Sequence, residues 1–180
     1  MDSPQIVGIG GFPNEVMREY VFGLARGRRV LFVGTASMED PSFAVSMYES
    51  LRPHGEVSFL RMDAFDALRR LEREGRRFGI VVLDPPALIK SRRAMAAGAR
   101  AYREHNRLAM ALLEEDGILV TCSCSHHLDD DLFRQVLLEA ARSARRPFRV
   151  LDWRGESPDH PQLLAVPETH YLKCAVLQAL

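Results

Sequence analysis

Cysteine is scarce in this chain, with three in 180 residues. Cys122 and Cys124 stand too close together to bond to each other, and Cys174 is left over. This excludes a disulfide framework and suits a reducing compartment. A charge of one sign is lacking too. Lys plus Arg equals Asp plus Glu at 24 each, for a formal net charge of zero, whereas a stand-alone RNA binder usually carries a basic surplus. No apolar run approaches the roughly 20 residues that cross a bilayer, so no membrane association is expected. The start, Met-Asp-Ser-Pro, has no basic segment ahead of an apolar one and does not read as a signal peptide. A cytoplasmic protein is expected. Repeats, low-complexity tracts and linkers are missing, so residues 1–180 read as one domain, large enough to bury a core.

What is present is alternation. Predicted strands cover Ile6–Gly10, Arg29–Thr35, Glu56–Met62, Gly79–Leu83, Gly117–Cys124, Phe148–Trp153 and Tyr171–Gln178. Most are unbroken apolar runs such as Val-Leu-Phe-Val and Ile-Val-Val-Leu, which suit parallel strands buried on both faces. Amphipathic helices are predicted between them over Glu15–Arg26, Ser42–Leu51, Ala64–Glu74, Ala96–Glu115 and Asp129–Ala144. The fold class is α/β, a three-layer, doubly wound, Rossmann-like arrangement around a mostly parallel seven-stranded sheet. Pro158, Pro161 and Pro167 break the segment from Gly155 to Thr169. A loop there implies that the last two strands form an antiparallel pair. The basic residues, nearly all Arg, cluster at Arg69-Arg70, Arg76-Arg77, Arg92-Arg93 and Arg142–Arg146, where solvated helix faces are the plainer explanation.

Ligands of such sheets bind at the carboxyl ends of strands, which here are Gly10-Gly11, Gly34-Thr35, Asp63, Asp84 and Cys122–Ser125. Asp84 precedes Pro85-Pro86, a rigid pair without N–H groups. The turn would suit a planar base or an ammonium group, or would merely start a loop. Asp63 could accept from an adenine amino group or could cap the next helix. Alternation places Cys122 and Cys124 on one face. A thiolate adding to C6 of cytosine would make C5 nucleophilic enough to take a methyl group; two buried strand cysteines are the alternative. Cys122, Cys124, His126 and His127 lack the spacing of a zinc site, and no metal is expected.

In order along the chain, several motifs resemble the large-subunit 23S rRNA (cytosine-C5) methyltransferase family of the I type. They are Met62-Asp63-Ala64-Phe65, F-G-I-V-V-L-D-P-P-A-L-I-K from Phe78 to Lys90, A-Y-R-E-H-N-R-L from Ala101, Gly117–Ser125, Asp159-His160-Pro161, and Pro167-Glu168-Thr169 with Tyr171-Leu172-Lys173. The resemblance implies S-adenosylmethionine as cofactor and RNA as partner. It implies Asp63 at adenine, Asp84 and Pro85 beside the cofactor, and Cys124 as the nucleophile with Asp84. It implies Pro86, Lys90, Tyr102 and Asn106 on the substrate side. Gly8, Gly10 and Gly11 would supply the glycine turn, although Pro13 stands where a third glycine belongs and no acid ends the second strand.

The first 60 residues point elsewhere. I-V-G-I-G-G-F-P from Ile6 and R-V-L-F-V-G-T-A-S-M-E-D from Arg29 resemble the start of the peptidase E-like family, but no G-x-S-x-G elbow follows. Phe43-Ala44-Val45-Ser46 echoes the methyltransferase helix and offers another alignment. The expectation is therefore a recombined or engineered chimera, with residues 1–60 joined to 61–180. It would be a scaffold without working catalysis, with no cofactor and no RNA-binding module. Working methyl transfer is the alternative, and a peptidase E-like hydrolase the second. Methyltransferase strand order would be 3-2-1-4-5-7-6, whereas an amidotransferase-like half would prefer 2-1-3-4.

Overall fold

The computed structural model describes residues 5–9, 29–34, 49, 56–59, 63–156 and 161–180. Its strands are β1 (Gln5–Ile9), β2 (Val30–Gly34), β3 (Glu56–Phe59), β4 (Phe78–Asp84), β5 (Leu113–Ser123), β6 (Phe148–Arg154) and β7 (Lys173–Ala179). Its helices are α1 (Ala64–Arg73), α2 (Met95–Ala111) and α3 (Asp130–Ala144). The predicted helices over Glu15–Arg26 and Ser42–Leu51 lie outside the described residues, apart from the helical Glu49. The second helical layer expected on the sheet depends on those segments. Among the described residues, no helix is long and apolar enough to cross a membrane.

The strands join in the order β3-β1-β2-β4-β5-β7-β6. Pairings from β3 through β5 are parallel, and β7 is antiparallel to both β5 and β6. The antiparallel C-terminal pair is as expected. The inner half matches neither expected order, because β2 and not β1 lies beside β4. Composition fits this exchange. Val-Leu-Phe-Val in β2 has no polar residue, and its Val30 and Leu31 are buried, which suits a strand flanked on both sides. Glu-Val-Ser-Phe in β3 alternates and takes one edge. Phe-Arg-Val-Leu-Asp-Trp-Arg in β6 carries charges and takes the other.

The core packs α1, α2 and α3 against the sheet through Leu68, Leu71, Phe78, Val81, Tyr102, Leu108, Leu119, Phe133 and Leu137. Both well-defined helix starts are capped by aspartate. Asp63 accepts from the N–H groups of Phe65 and Asp66 at 2.8 and 3.2 Å, and Asp129 accepts from Leu132 N at 2.8 Å.

The predicted helix to Glu115 ends early, at Ala111. Two forces stop it. The Phe78 N–H takes the Leu112 carbonyl at 2.8 Å. The Arg146 guanidinium donates to the carbonyls of Met110, Leu113 and Glu114 at 3.3, 2.6 and 2.9 Å. The acidic run Glu114-Glu115-Asp116 then forms an irregularity in the β4–β5 register, with Asp116 at φ 55. Arg146 is thus a half-buried cap and not part of a solvated helix face. Replacing it by Met leaves three carbonyls short of a donor. Chemical denaturation should show a loss of about 2 kcal/mol, and an unchanged midpoint would refute the capping role.

Candidate functional site

The tips of β2, β4 and β5 meet at one place. Gly34 lies opposite Asp84 in the β2–β4 register, and Leu83 lies opposite Thr121 in β4–β5. Asp84 is mostly buried, and burial holds its carboxyl above the ordinary range. Among the described residues it has no cationic partner. Pro85 is buried and Pro86 exposed. Neither proline carries a donor, so their carbonyls are met from outside the loop. Cys124 Sγ donates to Pro85 O at 4.0 Å, and the Tyr102 hydroxyl reaches Pro86 O at 3.4 Å.

Beneath the loop is a polar hub. The Tyr102 hydroxyl and Ser125 Oγ are 2.9 Å apart. Ser125 Oγ also accepts from Ile89 N at 3.0 Å, and Leu88 N donates to the Tyr102 oxygen at 3.4 Å. Asn106 links α2 to β5 by donating to Tyr102 O at 2.9 Å and accepting from Thr121 Oγ1 at 2.7 Å. Tyr102, Asn106, Thr121, Ser123 and Ser125 are all fully buried. Tyr102 and Asn106, expected on the substrate side, are thus buried beneath the loop.

Cys122 and Cys124 share a face, as alternation requires, with Thr121, Ser123 and Ser125 facing inward. Cys122 lies opposite Cys174, and that neighbouring thiol and burial push its own thiol well up. Burial raises the Cys124 thiol as well, and the Asp84 carboxylate adds to this, while Lys173 opposes it. Lys90 is exposed. Asp63 is exposed and occupied as a helix cap through Oδ1.

The glycines expected to form the cofactor turn are placed only in part. Gly8 lies within β1, paired with Phe32 and Phe59, one strand away from Asp84. Gly10 and Gly11 lie outside the described residues. The strand tip beside Asp84 is Gly34.

S-adenosylmethionine carries an ammonium group, a sulfonium and an adenine amino group. A buried carboxylate without a cation, at a strand tip, fits the first two kinds of charge. The Asp63 carboxylate, with Oδ2 uninvolved in the cap, fits an amino donor. The described residues of the site therefore fit the cofactor where they can be tested.

Several residues of the site were not singled out from sequence. Gly98 lets α2 press on the loop, since a Cβ there would stand 2.3 Å from Ile89 Cγ1 and 2.7 Å from Leu88 O. A glycine inside a helix is unfavourable without such a reason, and that was the available signal. Glu156, His170 and Asp130 form a second cluster beside the site. His170 bonds Asp130 through Nε2 at 2.7 Å and Glu156 through Nδ1 at 3.1 Å. Asp130 and Glu156 raise the His170 pKa. Burial works against the Glu156 carboxylate, but the Leu172 N–H, Gln162 and His170 outweigh it and bring it to about 2. Among the described residues, no three His, Cys, Asp or Glu side chains are arranged to hold a metal.

No family model matches the chain. Over 123 residues it is 37% identical to ribosomal RNA large subunit methyltransferase I of Aeromonas salmonicida, covering 68% of this chain and 31% of that protein. Over 148 residues it is 33% identical to the protein of the same name from Shewanella denitrificans, covering 78% and 37%. The chain thus spans about a third of the length of these curated relatives. Among solved structures, a Streptococcus mutans protein described as a SAM-dependent methyltransferase superimposes with a TM-score of 0.70 at 14% identity, over 98% of this chain and 44% of its own. NSun6 from Pyrococcus horikoshii, solved with SFG, gives 0.58 at 15% identity, over 98% and 48%. The fold is that of a methyltransferase.

These likenesses overturn the expected non-catalytic chimera. The longer match takes in about 140 residues of this chain, more than lie between Arg61 and Leu180. Both fold likenesses take in nearly the whole chain. The N-terminal third therefore lies within the methyltransferase likeness and not outside it.

Two outcomes are expected. Gly98→Ala should lower stability by about 1–3 kcal/mol through overpacking and disturb the Leu88 and Ile89 amide signals in an NMR spectrum; unchanged signals would count against the close approach. Separately, the His170 contribution should be present below its ordinary pKa near 6.5 and fade as pH rises through the elevated folded value. The melting-temperature deficit of His170→Asn should therefore be larger at pH 6 than at pH 9, and a deficit equal at both would refute the ion pairs.

Proposed function

We propose that this chain is the catalytic part of an S-adenosylmethionine-dependent rRNA (cytosine-C5) methyltransferase. One observation carries the reading. A half-buried thiol, Cys124, stands against the Pro85 carbonyl beside a mostly buried carboxylate, Asp84, that has no cationic partner among the described residues, on adjacent strand tips. A nucleophile and a cation acceptor held side by side on neighbouring strand tips are what base methylation by covalent catalysis needs.

Asp84 holds the positively charged end of the cofactor or orients the target base, and Asp63 accepts from the adenine amino group. The cofactor, when bound, supplies an electrophilic methyl group. As a thiolate, Cys124 attacks C6 of the cytosine, which makes C5 nucleophilic enough to take the methyl group; removal of the C5 proton by a base then expels the thiolate from C6. The buried Pro85 shapes the cofactor side and the exposed Pro86 the base side. Within these residues the phosphate contacts fall to the exposed Lys90, Arg92 and Arg93. The polar hub under the loop keeps thiol and carboxylate in register, which accounts for Tyr102 and Asn106 without contact to RNA.

Titration calorimetry with S-adenosylhomocysteine should give measurable heat, weakened by Asp84→Asn. Cys124→Ala should bind the ligand as the parent does and lose methyl transfer to rRNA cytosine by roughly a thousandfold or more, read by mass spectrometry of digested RNA. No heat and no thermal shift at millimolar ligand would overturn the reading.

A further inference from the structure

The chain has only two lysines, Lys90 and Lys173. Lys90 is exposed, whereas Lys173 is 1% exposed. Its ammonium donates to Ser125 O at 2.9 Å and to Tyr171 O at 2.8 Å. Among the described residues no carboxylate contacts it. The nearby acids are engaged elsewhere: Asp130 with His170 and the Trp153 indole at 2.6 Å, and Glu156 with His170 and the N–H groups of Tyr171 and Leu172. Burying an ammonium against neutral carbonyls alone is costly, so its place needs a reason.

That place brackets Cys124. The Lys173 backbone lies opposite Ser123 in the β5–β7 register, and its ammonium lies on the carbonyl of Ser125. Both sequence neighbours of the thiol are thus held by one residue. We propose that Lys173 is the positioning residue of the Cys124 nucleophile, fixing the strand tip and supplying the buried cation against which the thiolate forms.

The charged and titratable groups around the pair are Asp84 on β4, Tyr102 on α2, Asp129 and Asp130 at the start of α3, and Glu156 and His170 on the β6–β7 loop. Burial and Asp84 disfavour the thiolate, and Lys173 favours it. Burial also lowers the Lys173 pKa, while the Asp130 and Glu156 carboxylates and, after them, a charged Cys124 raise it. Each ion therefore offsets part of the other's desolvation. Lysine suits this role better than arginine, being a compact point charge that responds to burial.

The inference rests on Cys124 being the nucleophile, but its test needs neither cofactor nor RNA. Alkylation of Cys124 by iodoacetamide, followed by peptide mass spectrometry, gives the pH midpoint of its reactivity. In Lys173→Met and Lys173→Gln the midpoint should rise by about one unit, making alkylation roughly tenfold slower at a fixed pH below it. Glutamine can still donate to Ser125 O, so a purely structural role predicts that it restores the parent midpoint, and such restoration would overturn the proposal. Should the Lys173 variants not fold, Cys124→Ser decides. By reciprocity, removing the thiolate should lower the Lys173 midpoint followed by 15N NMR of the ammonium, and an unmoved midpoint would overturn the proposal. A shifted midpoint with no methylation would sink the functional reading alone. An unmoved midpoint with intact methylation would sink this one alone.

Discussion

The contact between the Tyr102 hydroxyl and Ser125 Oγ joins three elements that share no local sequence. Tyr102 belongs to α2, Ser125 follows β5, and both reach the loop after β4 through Ile89 N, Leu88 N and Pro86 O. Two consecutive prolines make that loop stiff but leave it poor in donors, so it cannot secure itself to the sheet. The hub does this from below. Because every member is buried, losing one would leave its partners unsatisfied, which costs more than the lost bond itself. The positions of Asp84 and Cys124 relative to each other are consequences of this hub, since each sits one or two residues from a group it fixes.

The exchange of β1 and β2 shows which part of such a site depends on chain order. A binding crevice needs particular strand tips side by side, and the chain may visit those positions in more than one sequence of steps. Here the apolar β2 takes the place beside β4, bringing Gly34 opposite Asp84. β1 lies one place further out. A glycine pattern read along the chain therefore pointed to β1, while the sheet presents β2. This also explains how the first 60 residues can read as foreign in order and still fall within a methyltransferase-like superposition.

What was legible in the sequence was local. The apolar run of β4, the Asp-Pro-Pro turn, the alternation through Cys122 and Cys124, and the helix predicted over Asp129–Ala144 each depend on a few adjacent residues, and each appears where expected. The end of α2 did not, because Leu112, Leu113 and Glu114 are claimed by Phe78 and Arg146, distant in sequence. Tyr102 and Asn106 were singled out only through the family resemblance, and nothing in the residues around them signalled that both side chains are buried. Lys173 was hidden for a similar reason: a lysine at the head of an apolar strand reads as a solvated end until the loop before it folds back.

Opposite charges here are sorted by place, which a net charge of zero does not reveal. Arg107 lies between Glu72 and Glu104, Arg70 pairs with Glu74, and Arg146 faces inward to carbonyls. Acids serve as caps at Asp63 and Asp129 and as the cluster holding His170. By contrast, Lys90, Arg92 and Arg93 are exposed on the segment that follows Asp84-Pro85-Pro86 and have no anionic partner among the described residues. A polyanion responds to the local field within about a Debye length, near 8–10 Å at ordinary salt, and not to the sum over the chain. The pairs of Arg70 with Glu74, Arg103 with Glu139 and Arg107 with Glu72 and Glu104 neutralise part of the charge along α1 and α2, so a chain of zero net charge still presents a local basic rim on the segment after Pro86.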